Sequence, residues 1–196
     1  MTTPPGPKPT ADTLAAAAKL ATAKGPAPVR LWNPPFCGDI DMRIARDGTW
    51  FYLGTPIGRA PLVKLFSSIL KREGDAYFLV TPVEKVGICV DDAPLLAIDF
   101  EAAGQGRDQT LTFTTKTEDT AIAGPDHPLR FARNPDTGEP APYILIRSNL
   151  EALIDRKSFF RLIELGCHEL HAGQRWFGVW SSGQFFPVIP SSDLPE

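Results

Sequence analysis

Two amphipathic stretches of matching pattern stand 97 positions apart in this chain, each set between β-like segments. The first, Arg59 to about Arg72, carries Leu62, Leu65, Phe66, Ile69 and Leu70 at the i, i+3, i+4, i+7, i+8 spacing of a one-sided helix. Pro61 fits only its first turn, and Gly74 ends it. The second follows Asp155, a good N-cap, and runs Arg156 to Leu165 before Gly166. With that offset Arg59 falls on Arg156, Leu62 on Phe159, Val63 on Phe160, Lys64 on Arg161, Leu65 on Leu162 and Phe66 on Ile163. An aromatic-rich strand precedes each helix and a strand pair follows it. Chance can align two amphipathic helices, but the basic matches favour a strand, helix and hairpin unit used twice. The expected fold class is therefore α+β, in two related units.

The strands are read from alternation and turn residues. Ile40 to Arg46 and Thr49 to Leu53 flank Asp47-Gly48, a pair suited to a type I′ turn because both central positions need positive φ. That two-residue loop sets Ile44 against Phe51 and Met42 against Leu53, leaving Asp41, Arg43, Trp50 and Tyr52 on the other side. This second side is either another packing face or a recognition surface. Ala76 to Val80, Lys85 to Val90, Leu95 to Glu101, Thr110 to Lys116, Tyr143 to Arg147, Arg175 to Trp180 and Gln184 to Pro187 complete the strands. Residues Asn134 to Pro142 read as a loop. The expected domains are a flexible Pro/Ala-rich leader with a weak helix over 1–30, an N-terminal α+β domain over 31–93, a C-terminal one over 94–190, and a tail over 191–196.

Composition limits the function classes. The 196 residues hold 16 Gly and 20 Pro, turn-rich but below the proportion of a disordered or fibrous chain. A net charge of −3 without a basic cluster argues against nucleic acid as a partner. No apolar run approaches membrane-span length and the first residues lack a secretory pattern, so no membrane partner and a cytoplasmic location are expected. Cys37, Cys89 and Cys167 are far apart and read as packing residues. Cys167, His168, Glu169, Leu170 and His171 miss metalloprotease spacing, because the two His stand three apart rather than four. Gly104 and Gly106 lack the third glycine and the helix of a dinucleotide fingerprint. No catalytic residues, metal or cofactor are assigned.

An anion site is the most physical proposal. The loop Gly54-Thr55-Pro56-Ile57-Gly58 leads to a helix N-terminus, whose free N–H groups favour a phosphate, and Arg59 adds a charge there. Lys85, Arg43 and Arg147 are strand-borne cations; Trp50, Tyr52 and Tyr143 offer aromatic faces to a base. The alternative for Arg59 is a structural ion pair, for example with Glu84. If the two units face each other, the cleft between them is the default ligand site.

The run Trp32 to Pro35, Cys37-Gly38-Asp39-Ile40-Asp41-Met42-Arg43-Ile44, Asp47 to Trp50, Arg59 to Phe66, Arg72 to Asp75 and Tyr77 to Val86 resembles the proteobacterial family called domain of unknown function 1285. The end of the chain does so too, in Arg156 to Leu165, Trp176-Phe177-Gly178-Val179-Trp180 and Phe185-Phe186-Pro187. The resemblance covers residue 30 to the C-terminus. It implies two duplicated α+β domains, the second loosely pleckstrin-homology-like, with an interface site for a nucleotide-like molecule in bacterial signal transduction. The expected function is a non-enzymatic ligand-sensing or binding module. A protein-interaction module without small ligand, or an enzyme whose site is not visible in sequence, are the alternatives.

Overall fold

The computed structural model describes residues 9–133, 135, 138 and 140–194, and the chain divides into two compact units, Met1–Asp92 and Ala93–Glu196. Each is a mixed α+β domain built on a six-stranded sheet.

The first unit opens with α1 (Ala11–Thr22), started by a capping box in which the Thr10 side chain accepts from the Thr13 backbone N–H and Thr13 reaches back to Thr10. Within the expected leader, these residues form a capped helix. It also packs against α2, burying Leu14 and Ala18 at 0% exposure. Strands β1 (Phe36–Ile44), β2 (Trp50–Tyr52) and β3 (Thr55–Pro56) come before α2 (Ala60–Ser68). Strands β4 (Leu70–Glu73), β5 (Ala76–Val80) and β6 (Lys85–Val90) come after it, and the sheet order is β3-β2-β1-β6-β5-β4 with β1 parallel to β6.

Two sequence expectations change here. Helix α2 stops at Ser68, because Leu70 pairs with Leu79 across the Gly74-Asp75 turn and the apolar stripe passes from a helix to a strand. The first hairpin is shifted by one residue: Ile44 faces Trp50 and Met42 faces Tyr52. The loop keeps an extra residue, with Ala45 N–H donating to Thr49 O at 2.9 Å and Gly48, at φ 73, closing back on Ala45 O. The type I′ geometry falls instead on Leu53-Gly54, at φ 50 and φ 73, between Tyr52 and Thr55. A one-residue slip exchanges faces. Trp50 therefore joins the core, stacked on Phe66 at 6.3 Å between ring centroids, and the outer face carries Arg43 beside Phe51.

The second unit contains β7 (Leu95–Ala103), β8 (Thr110–Thr115), β9 (Thr120–Ile122), β10 (Leu129–Arg133), β11 (Pro140–Arg147) and β12 (Leu150–Ile154), ordered β10-β11-β12-β7-β8-β9 with β7 parallel to β12. This connectivity repeats that of the first sheet, as a duplication requires. The placement of the helix differs: α3 (Arg156–Glu164) follows the sixth strand instead of joining the third to the fourth. The Asp155 carboxylate caps α3 by accepting from Ser158 N–H at 2.7 Å. Strands β13 (Cys167–His171), β14 (Gln174–Ser181) and β15 (Gln184–Pro190) then form a separate three-stranded sheet. The N-caps Arg59 and Asp155, and the buried Phe66 and Leu162, share a spacing one position shorter than the offset read from sequence. The basic matches thus fall out of phase, since Arg59 caps its helix while Arg156 is the first helical residue of the other. The part of the 134–142 loop that precedes Pro140 lies largely outside the described residues; Pro140 to Pro142 belong to β11.

Apolar side chains fill the interior of each unit. Phe100 and Phe113 meet at 5.3 Å, while Tyr143 packs with Ala93, Ala141 and Leu153. Among the described residues no helix is long and apolar enough to cross a membrane.

Candidate functional site

The residues singled out from sequence divide between the two units and are mostly engaged within them. Arg43 holds Asp91 at 2.6 Å and lies 4.8 Å from the Phe51 ring centroid. Lys85 donates to Glu73 at 2.8 Å and sits over Phe78, while Lys71 takes the other Glu73 oxygen at 3.0 Å. These two lysine hydrogen bonds, Lys85 first, hold the Glu73 carboxyl below its ordinary pKa. Glu84 goes the other way, raised by burial alone. Arg59 pairs with neither; it is exposed at the N-cap of α2 and makes no ion pair among the described residues. Trp50 is 2% exposed, so its faces are closed to a base, and Tyr52 is half-buried on β2.

In the second unit Arg147 pairs with Asp119, which also accepts from Thr117 at 2.8 Å. Tyr143 is buried beneath Arg130, whose guanidinium lies 4.2 Å from the ring centroid and binds both Glu151 oxygens at 2.8 Å. Arg161 binds Asp99 and the Phe100 carbonyl, and that hydrogen bond, with one from the Phe100 N–H, keeps the Asp99 carboxyl low. His168 and His171 stand on β13 against Phe177 and Phe185, and His168 Nδ1 meets Ser191 Oγ at 2.7 Å. Cys167 beside them has its thiol pKa raised, by burial first and then by Glu169.

A different set of residues forms an open cavity of about 500 Å³ inside the second unit. It lies where β10, an edge of the six-stranded sheet, passes β15, an edge of the three-stranded one. Phe131, Phe159 and Trp176 give it aromatic walls, Val188 to Pro190 an aliphatic one, and Arg133 and Asp193 its charges. A bulge shapes it. Phe177 pairs with Ile189 but Gly178 pairs with Pro187, so Val188 is extra and three successive residues of β15 reach the cavity. Gly178 is required at that bulge because any Cβ would meet the Phe186 carbonyl oxygen. The Phe131 and Phe159 rings stand 6.4 Å apart, half-buried. Arg133 is exposed, donates from Nη1 to Gly138 O at 3.3 Å and makes no ion pair among the described residues. None of these cavity residues was assigned a role from sequence. Trp176 and Phe159 stand within the segments that carry the family resemblance, and that was the one available signal.

The same segments decide the relationship. A family model for the N-terminal domain of the DUF1285 family matches residues 27–93, and one for its C-terminal domain matches residues 94–188. The chain belongs to the DUF1285 family. It is similar to the crystal structure of a DUF1285 family protein from Silicibacter pomeroyi DSS-3, at 65% identity and a TM-score of 0.84, covering 92% of this chain and 96% of that one. A DUF1285 family protein from Shewanella baltica OS155 matches at 33% identity and a TM-score of 0.49, over 63% of this chain and 90% of that one. No curated protein matches. The DUF1285 family is described as of unknown function in both domains, so the chemistry of this member is argued from its own residues.

Proposed function

We propose that this DUF1285 protein is a non-enzymatic, cytoplasmic binding module, and that it takes a planar, anionic, nucleotide-like ligand in the aromatic cavity of its C-terminal unit. The observation that carries this reading is the pairing of Trp176, Phe131 and Phe159 with Arg133 around about 500 Å³. That volume lies in the usual range for small-molecule sites, which are mostly apolar with a few placed polar groups. Aromatic faces stack on a base at about 1–3 kcal/mol. A guanidinium is the side chain best shaped for phosphate or carboxylate. This moves the ligand away from Lys85, engaged by Glu73, from the buried Trp50 and from Arg59, and onto the residues that line the cavity. A role in signal transduction is the use such a module would serve.

Thermal shift and tryptophan fluorescence test it. A nucleotide at a hundred times its dissociation constant adds about 2.7 kcal/mol of stability. Trp176→Ala or Arg133→Gln removes that shift while the apo protein still melts cooperatively. Absence of any shift by nucleotides at millimolar concentration overturns the reading. One observation favours the second reading, a protein-interaction module: β13 is the outer strand of its sheet and presents Leu170 at 76% exposure, an edge on which a partner strand can add.

A further inference from the structure

The charges of the cavity select among anionic ligands. Of the described residues that line it, Arg133 and Asp193 are the charged ones, one of each sign. Asp193 accepts Ser192 Oγ on Oδ1 at 2.9 Å, and its Oδ2 makes no hydrogen bond among the described residues. A carboxylate with an open oxygen at an aromatic wall draws a donor nitrogen and repels a second phosphate. From this we infer that the ligand carries one anionic group and an amino-bearing ring, with the anion on Arg133 and the amino group on Asp193. The inference rests on the binding role proposed above and narrows it.

Arg133 and Asp193 are both exposed at the mouth of this open cavity, so charge selects among ligands there. A monophosphate brings about −1.5 to −2 at pH 7, part of which one arginine offsets. Each added phosphate adds negative charge near Asp193, and among the described residues that line the cavity no cation besides Arg133 offsets it. An exocyclic amine, in contrast, meets Asp193 Oδ2, which makes no hydrogen bond among the described residues, and a charge-assisted hydrogen bond is among the stronger polar contacts. The aromatic walls add no preference among bases, since every base has a π face. Selectivity is therefore left to Arg133 and Asp193.

Titration of the full chain with adenosine monophosphate, adenosine triphosphate and inosine monophosphate, read by tryptophan quenching, tests this. Adenosine monophosphate binds about fivefold more tightly than the triphosphate, the size of an exposed like-charge term. It binds about tenfold more tightly than inosine monophosphate, which lacks the exocyclic amine. Asp193→Asn reduces the preference against triphosphate, and its unchanged melting temperature separates this from unfolding. Triphosphate binding as tightly as monophosphate in the unaltered protein, or an unchanged preference in Asp193→Asn, overturns the inference and leaves the binding role standing. No quenching by any of the three removes both.

Discussion

Leu14→Ala is the sharpest test of whether the first helix is part of the fold. Leu14 is 0% exposed on a helix that packs against α2, whose Phe66 is also fully buried. The change removes the equivalent of three buried methylene groups, about 2.4 kcal/mol at ~0.8 kcal/mol each. A residual cavity adds to this, and leucine-to-alanine changes in cores span about 2–5 kcal/mol. The transfer term sets the low end of that range, about 2–3 kcal/mol. For a unit of this size each kcal/mol moves the melting temperature by about 4–8 °C, so a fall of roughly 10–20 °C is expected. Differential scanning calorimetry reads it. The matched control is Leu20→Ala on the same helix, where the side chain is 80% exposed and the expected change is within about 0.5 kcal/mol. Equal shifts for the two variants would refute the docking of α1.

Gly178→Ala pushes a methyl group into the Phe186 carbonyl and the Phe185 ring, and denaturant unfolding is expected to show a loss of about 1–3 kcal/mol. Ser158→Ala is expected to leave stability unchanged or raise it by about 0.5–1 kcal/mol, because the Ser158 hydroxyl is buried without a partner in the described structure; a clear loss would show that the hydroxyl is satisfied. Glu73 has its folded pKa below the unfolded value, so its ion pairs with Lys85 and Lys71 contribute above the ordinary carboxylate range and are lost as pH falls through the depressed value. Lys85→Met moves the Glu73 titration midpoint upward in a carboxyl NMR titration, and an unmoved midpoint refutes the pairing.

Much of the local structure was legible in the residues. Ala76–Val80 and Lys85–Val90 follow from alternation and turn residues, and α3 from Asp155 and its stripe. Leu150–Ile154 was missed because it runs straight into the helical stripe, with only Asp155 between them. The seven residues picked for an anion site were chosen for chemistry and local placement. Most then found intramolecular partners: Arg43 with Asp91, Lys85 with Glu73, Arg147 with Asp119. The cavity escaped notice because Phe131, Phe159, Trp176 and Asp193 come from four separate elements and no spacing along the chain links them.

What the sequence determined by itself is what depends on neighbours a few positions away: the apolar stripes of α2 and α3, the Asp155 cap, the alternation of β5 and β6, and the α+β class. Tertiary structure alone decided which turn takes the left-handed geometry, and hence that Trp50 faces inward. It also decided that Leu70 ends a helix by pairing with Leu79, and that β10 and β15 pass close enough to enclose a cavity. The physical reason is range. Helix periodicity and caps are set by contacts within about four residues, whereas strand register has a period of two and is chosen by the partner strand, so a shift of one residue reverses every face.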